Sequence, residues 1–313
     1  MTVVHGLREQ ALGWQDIPVD TRSALAFQLG AGVVQALRQD AEIPGSVAVR
    51  LLLDDGRWAF VRALPALHPS ASGLRAEAET TALLPRAAPV PEVFGVVDGE
   101  WLAVVFSDLD GARVNLRPGS PDCSAMFTAI GRAVRTLTPC PVAGAPDALT
   151  ELDGLLSVWR TPGSLPSGLD PWLESNVDSL AVVETAWHPW SDGDTLLHND
   201  LRPDTLVRTG TGQVLITGWR RPLRGAAWLD TTPLVPYLLV AGHTIATAEK
   251  LVLSRPELRA VPAWAVTGYA AALCGYWQFA SRCPEPPGSA GLREQQRKIA
   301  AAALRWVRHR TRW

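Results

Sequence analysis

Apolar and polar positions change their period along this chain, and the changes mark off two kinds of structure. The run TRSALAFQL, opened by Asp20 as an N-cap and closed by Gly30, has the punctuation of a helix. SVAVRLLL and RWAFVRAL then flank Asp54-Asp55-Gly56, turn residues between β-prone runs, and predict a hairpin. Residues 72–84 return to helical spacing: Leu74, Glu77, Thr81 and Leu84 fall three and four apart on one face, and Pro85 ends the segment. Two further strand-like runs, VFGVV and WLAVVF, are separated by Asp98-Gly99, and Ser107–Gly111 reads as a linker.

Past the linker the spacing is helical and predicts helices near 122–137, 147–159, 171–186, 232–250, 257–281 and 291–310. One segment interrupts them. Thr195 to Trp219 reads as a loop and then a hairpin, with TLVR and QVLIT joined by a Gly210-Thr211-Gly212 turn. The expected class is therefore α+β with two lobes. Residues 1–106 form an N-terminal antiparallel β-sheet lobe with one crossing helix, 107–112 a hinge linker, and 113–313 a larger, mostly helical lobe containing the loop and hairpin at 196–219.

Composition narrows the function classes. A chain of 313 residues, 47% apolar and 19% charged, can bury two cores. Its net charge of −2 gives no electrostatic case for a nucleic acid or an anionic membrane as partner. Of 29 basic residues only Lys250 and Lys298 are lysines, which reads first as compositional bias. The start, MTVVHGLREQ, lacks the basic-then-apolar order of a secretory signal. Leu234–Ala248 is the most apolar late stretch, but it is broken by Pro236 and His243 and falls short of the about 20 apolar residues that span a bilayer. Cys123, Cys140, Cys274 and Cys283 make no metal pattern and are expected as reduced thiols, so a cytoplasmic location is expected.

The chemistry concentrates in Leu197-His198-Asn199-Asp200-Leu201-Arg202-Pro203-Asp204-Thr205-Leu206-Val207. His, then Asp two residues on, then a fixed position five beyond that Asp is the spacing of a kinase loop. There the Asp accepts the proton of a substrate hydroxyl and an Asn holds Mg²⁺. With the hairpin behind it and helices around it, LLHNDLRPDTLV, GQVLITGWRRPLRGAAWLD and the closing GLREQQRKIAAAALRWVRHRTRW resemble the aminoglycoside-phosphotransferase family, which has a protein-kinase-like fold. RLLLDDGRWAFVRAL resembles that family's lysine-bearing hairpin, so the likeness runs from about Trp14 to Trp313.

The resemblance also shows what is missing. It implies that Asp200 stands at the catalytic aspartate and His198 at the loop histidine. Arg62 stands where the family has its phosphate-binding lysine, no lysine precedes residue 250, and Glu77 stands at the glutamate that orients that lysine. Thr205 stands at the metal-binding asparagine, and family members often carry an acid beside it, as Asp204 does here. Gly218 stands at the second metal-binding aspartate, within Thr217-Gly218-Trp219. The phosphate-covering turn reads Gln39-Asp40-Ala41-Glu42-Ile43-Pro44-Gly45, whose two acids would repel a triphosphate.

These departures imply a degenerate ATP site with no metal ligands and no expected cofactor, metal-free ATP being the alternative. The expected function is a pseudokinase that serves as a substrate-binding, scaffold or regulatory partner, for example of a biosynthetic enzyme. A protein or peptide partner, or a small-molecule ligand in the interlobe cleft, would be its target. The alternative is an active phosphotransferase or other group-transfer enzyme on a small-molecule or peptide hydroxyl, with Asp200 as general base. Several side chains have blander expectations. Arg62–Glu77 reads as a structural salt bridge, and His198 as a packing residue of its loop. Asp200 reads as a cap on loop amides, Asp230 as the anchor of a helix start, and Trp219 and Trp228 as core. Glu151, Asp153, Glu174 and Asp178 read as solvated helix faces, as does the basic end of the last helix.

Overall fold

The computed structural model describes residues 12–41, 43–161, 163–286, 289 and 291–313, so Glu42 of the acidic turn lies outside the described residues. Two compact units emerge: one takes in the chain up to Leu83 together with Val90–Gly111, the other Leu84–Pro89 together with Ala112–Trp313.

The first unit is built on a five-stranded antiparallel sheet. After α1 (Val19–Leu29) come β1 (Val33–Arg38), β2 (Val47–Leu53), β3 (Trp58–Pro65), α2 (Ala71–Leu83), β4 (Val93–Asp98) and β5 (Trp101–Ser107), with strand order β1-β2-β3-β5-β4. Alternation sorts the side chains onto two faces. Val49, Leu51, Val61, Ala63, Ala103 and Val105 form a core with Leu25 and Leu29 of α1. The opposite face presents Phe60, Arg62, Val104 and Phe106, with Phe60 registered against Phe106 and Arg62 against Val104. In α2, Leu74, Glu77 and Thr81 are all buried, as their spacing predicts. Asp20 is not the cap of α1: Pro18 holds that position and Asp20 lies in the first turn, where its charge suits the helix dipole. The Ser107–Gly111 linker is partly structure. Arg50 pairs with Asp108 at 2.7 Å and with Asp110 at 3.0 Å.

The second unit is mostly helical. It holds α3 (Pro121–Thr136), α4 (Ala148–Leu155), α5 (Pro171–Val183), α6 (Trp228–Thr231), α7 (Leu234–Val240), α8 (Ile245–Leu253), α9 (Ala263–Ala280) and α10 (Leu292–Thr311). The helix expected over 232–250 is two, α7 and α8. Gly242, at φ 104°, ends the α7 turn, and the Thr244 hydroxyl accepts the Thr247 amide at 3.2 Å to start α8 afresh. Trp159, Leu173, Leu180, Ala271, Ala303 and Val307 join α5, α9 and α10 in one core. Gly275 admits the Trp159 indole, because a Cβ there would come within 2.8 Å of its Nε1. The basic end of α10 is exposed at Arg308 and His309, as expected, but not at Arg310. Arg310 is only 9% exposed and pairs with Glu249 of α8 at 2.6 Å. The four cysteines are free thiols, two of them buried. No described helix is long and apolar enough to cross a membrane.

Between the short strand β6 (Gly111–Arg113) and α6, the chain makes four more short strands: β7 (Thr195–Leu197), β8 (Leu206–Thr209), β9 (Val214–Ile216) and β10 (Leu223–Gly225). β8 and β9 are the predicted hairpin, and β10 pairs with β7. These strands carry the His198–Leu206 loop.

Candidate functional site

β7 brings the chain to His198, whose ring is buried and set by two hydrogen bonds. Nε2 donates to the Thr217 carbonyl at 2.8 Å, and Nδ1 accepts the Asp200 amide at 3.2 Å. A neutral imidazole with its proton on Nε2 satisfies both. The ring edge meets Trp219 at 4.8 Å, and Trp219 and Trp228 are both buried. Asn199 takes a left-handed conformation, φ 63°, which lifts Asp200 outward.

The group that holds this turn is Asp230. Its carboxylate accepts the His198 amide at 2.5 Å and the Asn199 amide at 2.8 Å. Burial pushes its pKa up, against the pull of His198 and of those two amides. Asp230 therefore anchors the loop rather than a helix start. Asp200, expected to cap loop amides, leaves its carboxylate largely exposed. Its side chain is 57% exposed and meets Arg202 Nε at 3.2 Å.

Thr205 and Gly218, the two positions that the resemblance sets at metal ligands, lie close together. Thr205 is buried, and its hydroxyl is engaged with its own loop: it lies 3.1 Å from the Asp200 carbonyl and 3.0 Å from the Arg202 carbonyl, and accepts the Arg202 amide at 3.2 Å. Gly218, at φ 85°, supplies no side chain, and a Cβ there would lie 3.3 Å from Thr205 Cγ2. Asp204 is occupied as well, its carboxylate meeting Arg202 at 3.0 Å and Arg113 at 2.8 Å. Among the described residues no three His, Cys, Asp or Glu side chains gather as a metal site.

In the sheet unit, Arg62 and Glu77 meet. One guanidinium nitrogen lies 2.9 and 3.0 Å from the two carboxylate oxygens, and Glu77 is 1% exposed. The rings of Phe60 and Phe106 lie 5.8 and 6.0 Å from the Arg62 guanidinium. The pair is largely buried, with two aromatic rings beside the guanidinium. Asp40 of the acidic turn is exposed, and Gly45 turns the chain at φ 72°.

Asp200 opens onto a cavity of about 410 Å³ within the helical unit. The chain has three tyrosines, and all three line it: Tyr237 from α7, Tyr269 and Tyr276 from α9. Trp277, Arg220 and Arg221 complete the polar and aromatic part of the wall. Burial raises all three phenols, and the charge of Asp200 adds to this at Tyr237 and Tyr276. The expectations from sequence passed over the Tyr residues, both arginines and the role of Asp230. One signal was present: Tyr269, Leu273 and Tyr276 fall at i, i+4 and i+7, on one helix face. Of the four acids taken as solvated faces, Glu151, Glu174 and Asp178 are exposed, whereas Asp153 pairs with Arg160 and lies 2.9 Å from His188.

Comparison with known proteins places this geometry. The model of the phosphotransferase enzyme family, APH, matches residues 44–216, more than half of the chain. A thermostable mutant of aminoglycoside phosphotransferase APH(4)-Ia, solved as a ternary complex with AMP-PNP and hygromycin B, is similar over 94% of this chain and 98% of its own, with TM-score 0.60 and 14% identity. An aminoglycoside phosphotransferase from Alicyclobacillus acidocaldarius is similar over 90% of this chain and 92% of its own, with TM-score 0.56 and 11% identity. A putative fructosamine-3-kinase from Thermobifida fusca is similar over 91% and 98%, with TM-score 0.55 and 18% identity. At these identities the likeness establishes the kinase-like fold and nothing finer. No curated protein matches the sequence.

Proposed function

The chain belongs to the phosphotransferase enzyme family, and from that premise we propose that it is a pseudokinase: a family member whose loop is preserved as a scaffold but whose donor set does not fit Mg-ATP. The state of Thr205 carries this reading. Its buried hydroxyl is engaged by backbone groups of its own loop, and the adjoining Gly218 has no side chain to offer a cation. Asp204, the nearest carboxylate to Thr205 in the chain, faces two arginines, and Arg62 is paired with Glu77. Magnesium takes oxygen ligands at close to octahedral geometry, usually from one or two carboxylates plus phosphates. Phosphoryl transfer in turn depends on that neutralised charge. On this reading the protein works by binding, as a substrate-holding, scaffold or regulatory module for a partner such as a biosynthetic enzyme.

The test is a thermal-shift titration with ATP and ADP, each with Mg²⁺, Mn²⁺ or chelator. A ligand at 100 times its Kd adds about 2.7 kcal/mol, a readily visible shift. No shift in any condition is expected. A metal-dependent shift would overturn the reading, and a shift that survives chelator would instead mark a metal-free nucleotide sensor. Co-purification that returns no stable partner or ligand would count against the binding role.

One observation favours a second reading, an active group-transfer enzyme. The Asp200 carboxylate is exposed on the cavity wall, on a loop still fixed by His198 and Asp230. There it could accept the proton of an acceptor hydroxyl as general base. Turnover present in the wild type and lost in Asp200→Asn would establish this reading; absence of turnover with every nucleotide and metal tried would remove it.

A further inference from the structure

The cavity beside Asp200 carries a charge pattern that suits a different ligand from a polycationic aminosugar. About 410 Å³ is the size of a small-molecule pocket. Much of its wall is aromatic. Tyr276 meets Trp277 at 4.9 Å with an interplanar angle of 72°, and Tyr237 meets Trp277 at 6.4 Å and 87°. Two tyrosine rings, each steeply inclined to Trp277, make a corner in which a planar group stacks on one ring and takes the edge of another. Leu152, Leu156 and Leu273 add apolar surface.

Four charged residues line the cavity: Asp200, Asp230, Arg220 and Arg221. The Asp230 carboxylate is directed at two loop amides, and Asp200 is partly balanced by Arg202. Arg221 is exposed, and its charge and that of Asp200 both act on the Tyr276 phenol, which places this ring within reach of opposite charges. With the lining charges balanced, this is not the acidic wall a polycation needs, and the exposed Arg221 guanidinium attracts an acid group, which arginine binds in bidentate fashion.

We propose that this cavity binds an aromatic anion that also carries a hydroxyl group. Its ring lies in the Tyr237–Tyr276–Trp277 corner, its acid group on Arg221, and its hydroxyl toward Asp200. The proposal rests on the reading of this cavity as the ligand site and is independent of whether a nucleotide binds.

Isothermal titration with 6-hydroxy-2-naphthoate, its neutral carboxamide and kanamycin, each in chelator without nucleotide, tests it. The naphthoate should bind, the carboxamide about tenfold more weakly for want of a charge-assisted contact, and kanamycin not measurably. Arg221→Gln, at an exposed position, should lower naphthoate affinity about tenfold and leave the carboxamide unchanged. Tyr276→Leu should weaken both aromatic probes alike, since each stacks on that ring. Equal binding of naphthoate and carboxamide, tighter binding of kanamycin than of either, or an Arg221→Gln variant that binds as wild type would overturn the proposal. Because these titrations contain no nucleotide, a Mg-dependent ATP shift would overturn the pseudokinase reading while leaving this result standing.

Discussion

The Asp230 carboxylate accepts the His198 amide at 2.5 Å across 32 positions of sequence, and takes the Asn199 amide as well. A carboxylate that accepts two buried amides is worth keeping whether or not the loop does chemistry. It sets the left-handed turn at Asn199 and so fixes where Asp200 points. Preservation of the loop is therefore compatible with loss of its original reaction.

Asp230→Asn should lose one of these bonds, since the amide oxygen can accept one N–H while the NH₂ group faces another donor. A loss of about 2 kcal/mol is expected in urea unfolding. Asp200→Asn, at a 57% exposed side chain, should change stability by less than about 0.5 kcal/mol. Equal losses for the two variants would show that Asp230 is not the anchor.

Arg62 and Glu77 form a buried pair, so removing one partner strands the other. Glu77→Ala should cost about 3 kcal/mol, because the largely buried Arg62 guanidinium then loses the carboxylate it pairs with. The double variant Arg62→Met with Glu77→Leu should recover most of that loss. Denaturant midpoints of the two variants check this, and a double variant no more stable than the single one would mean the pair is not a replaceable structural bridge.

Gly218 sits at φ 85°, with Thr205 Cγ2 3.3 Å from the position of a Cβ. Gly218→Ala should therefore cost about 1–2 kcal/mol, against a near-neutral effect at an exposed glycine of ordinary conformation. Thermal unfolding of the variant is the measurement, and an unchanged midpoint would show that this turn relaxes freely.

Burial raises the Glu184 carboxyl from 4.5 to about 7, although it accepts the Trp159 and Arg160 amides. Arg160 lies 3.8 Å away and also pairs with Asp153, which adjoins His188. A raised pKa means that the folded protein holds the proton more tightly than the unfolded chain. This contribution is thus full below pH 4.5 and declines until about pH 7, by roughly 3 kcal/mol in all. Urea unfolding across that range should show a downward slope with rising pH that Glu184→Gln removes. The same slope in both proteins would contradict the assignment.

Much of the site could be read from the chain because the signals were local. Arg62 alternates with the core residues Val61 and Ala63 of β3, and Glu77 stands on the buried face of α2. The β8–β9 hairpin was announced by its glycine turn. Other parts were hidden for physical reasons. β1 is an edge strand with a register shift between Val33 and Gln35, so its burial does not alternate. β7 and β10 are three residues each, too short for a period to show. The α7–α8 break depends on a backbone turn at Gly242 and a hydroxyl cap at Thr244, both concealed in an apolar stretch. Asp230 and the cavity wall could not be read locally, since they are made by residues far apart in sequence.

The confinement of every tyrosine of this protein to one cavity wall has a practical side. Isotope-labelled tyrosine would place the signals of three rings in the spectrum, and all of them would come from that wall. Chemical shifts recorded on the unmodified chain would then follow occupancy of this one compartment, with no other tyrosine to confuse the reading.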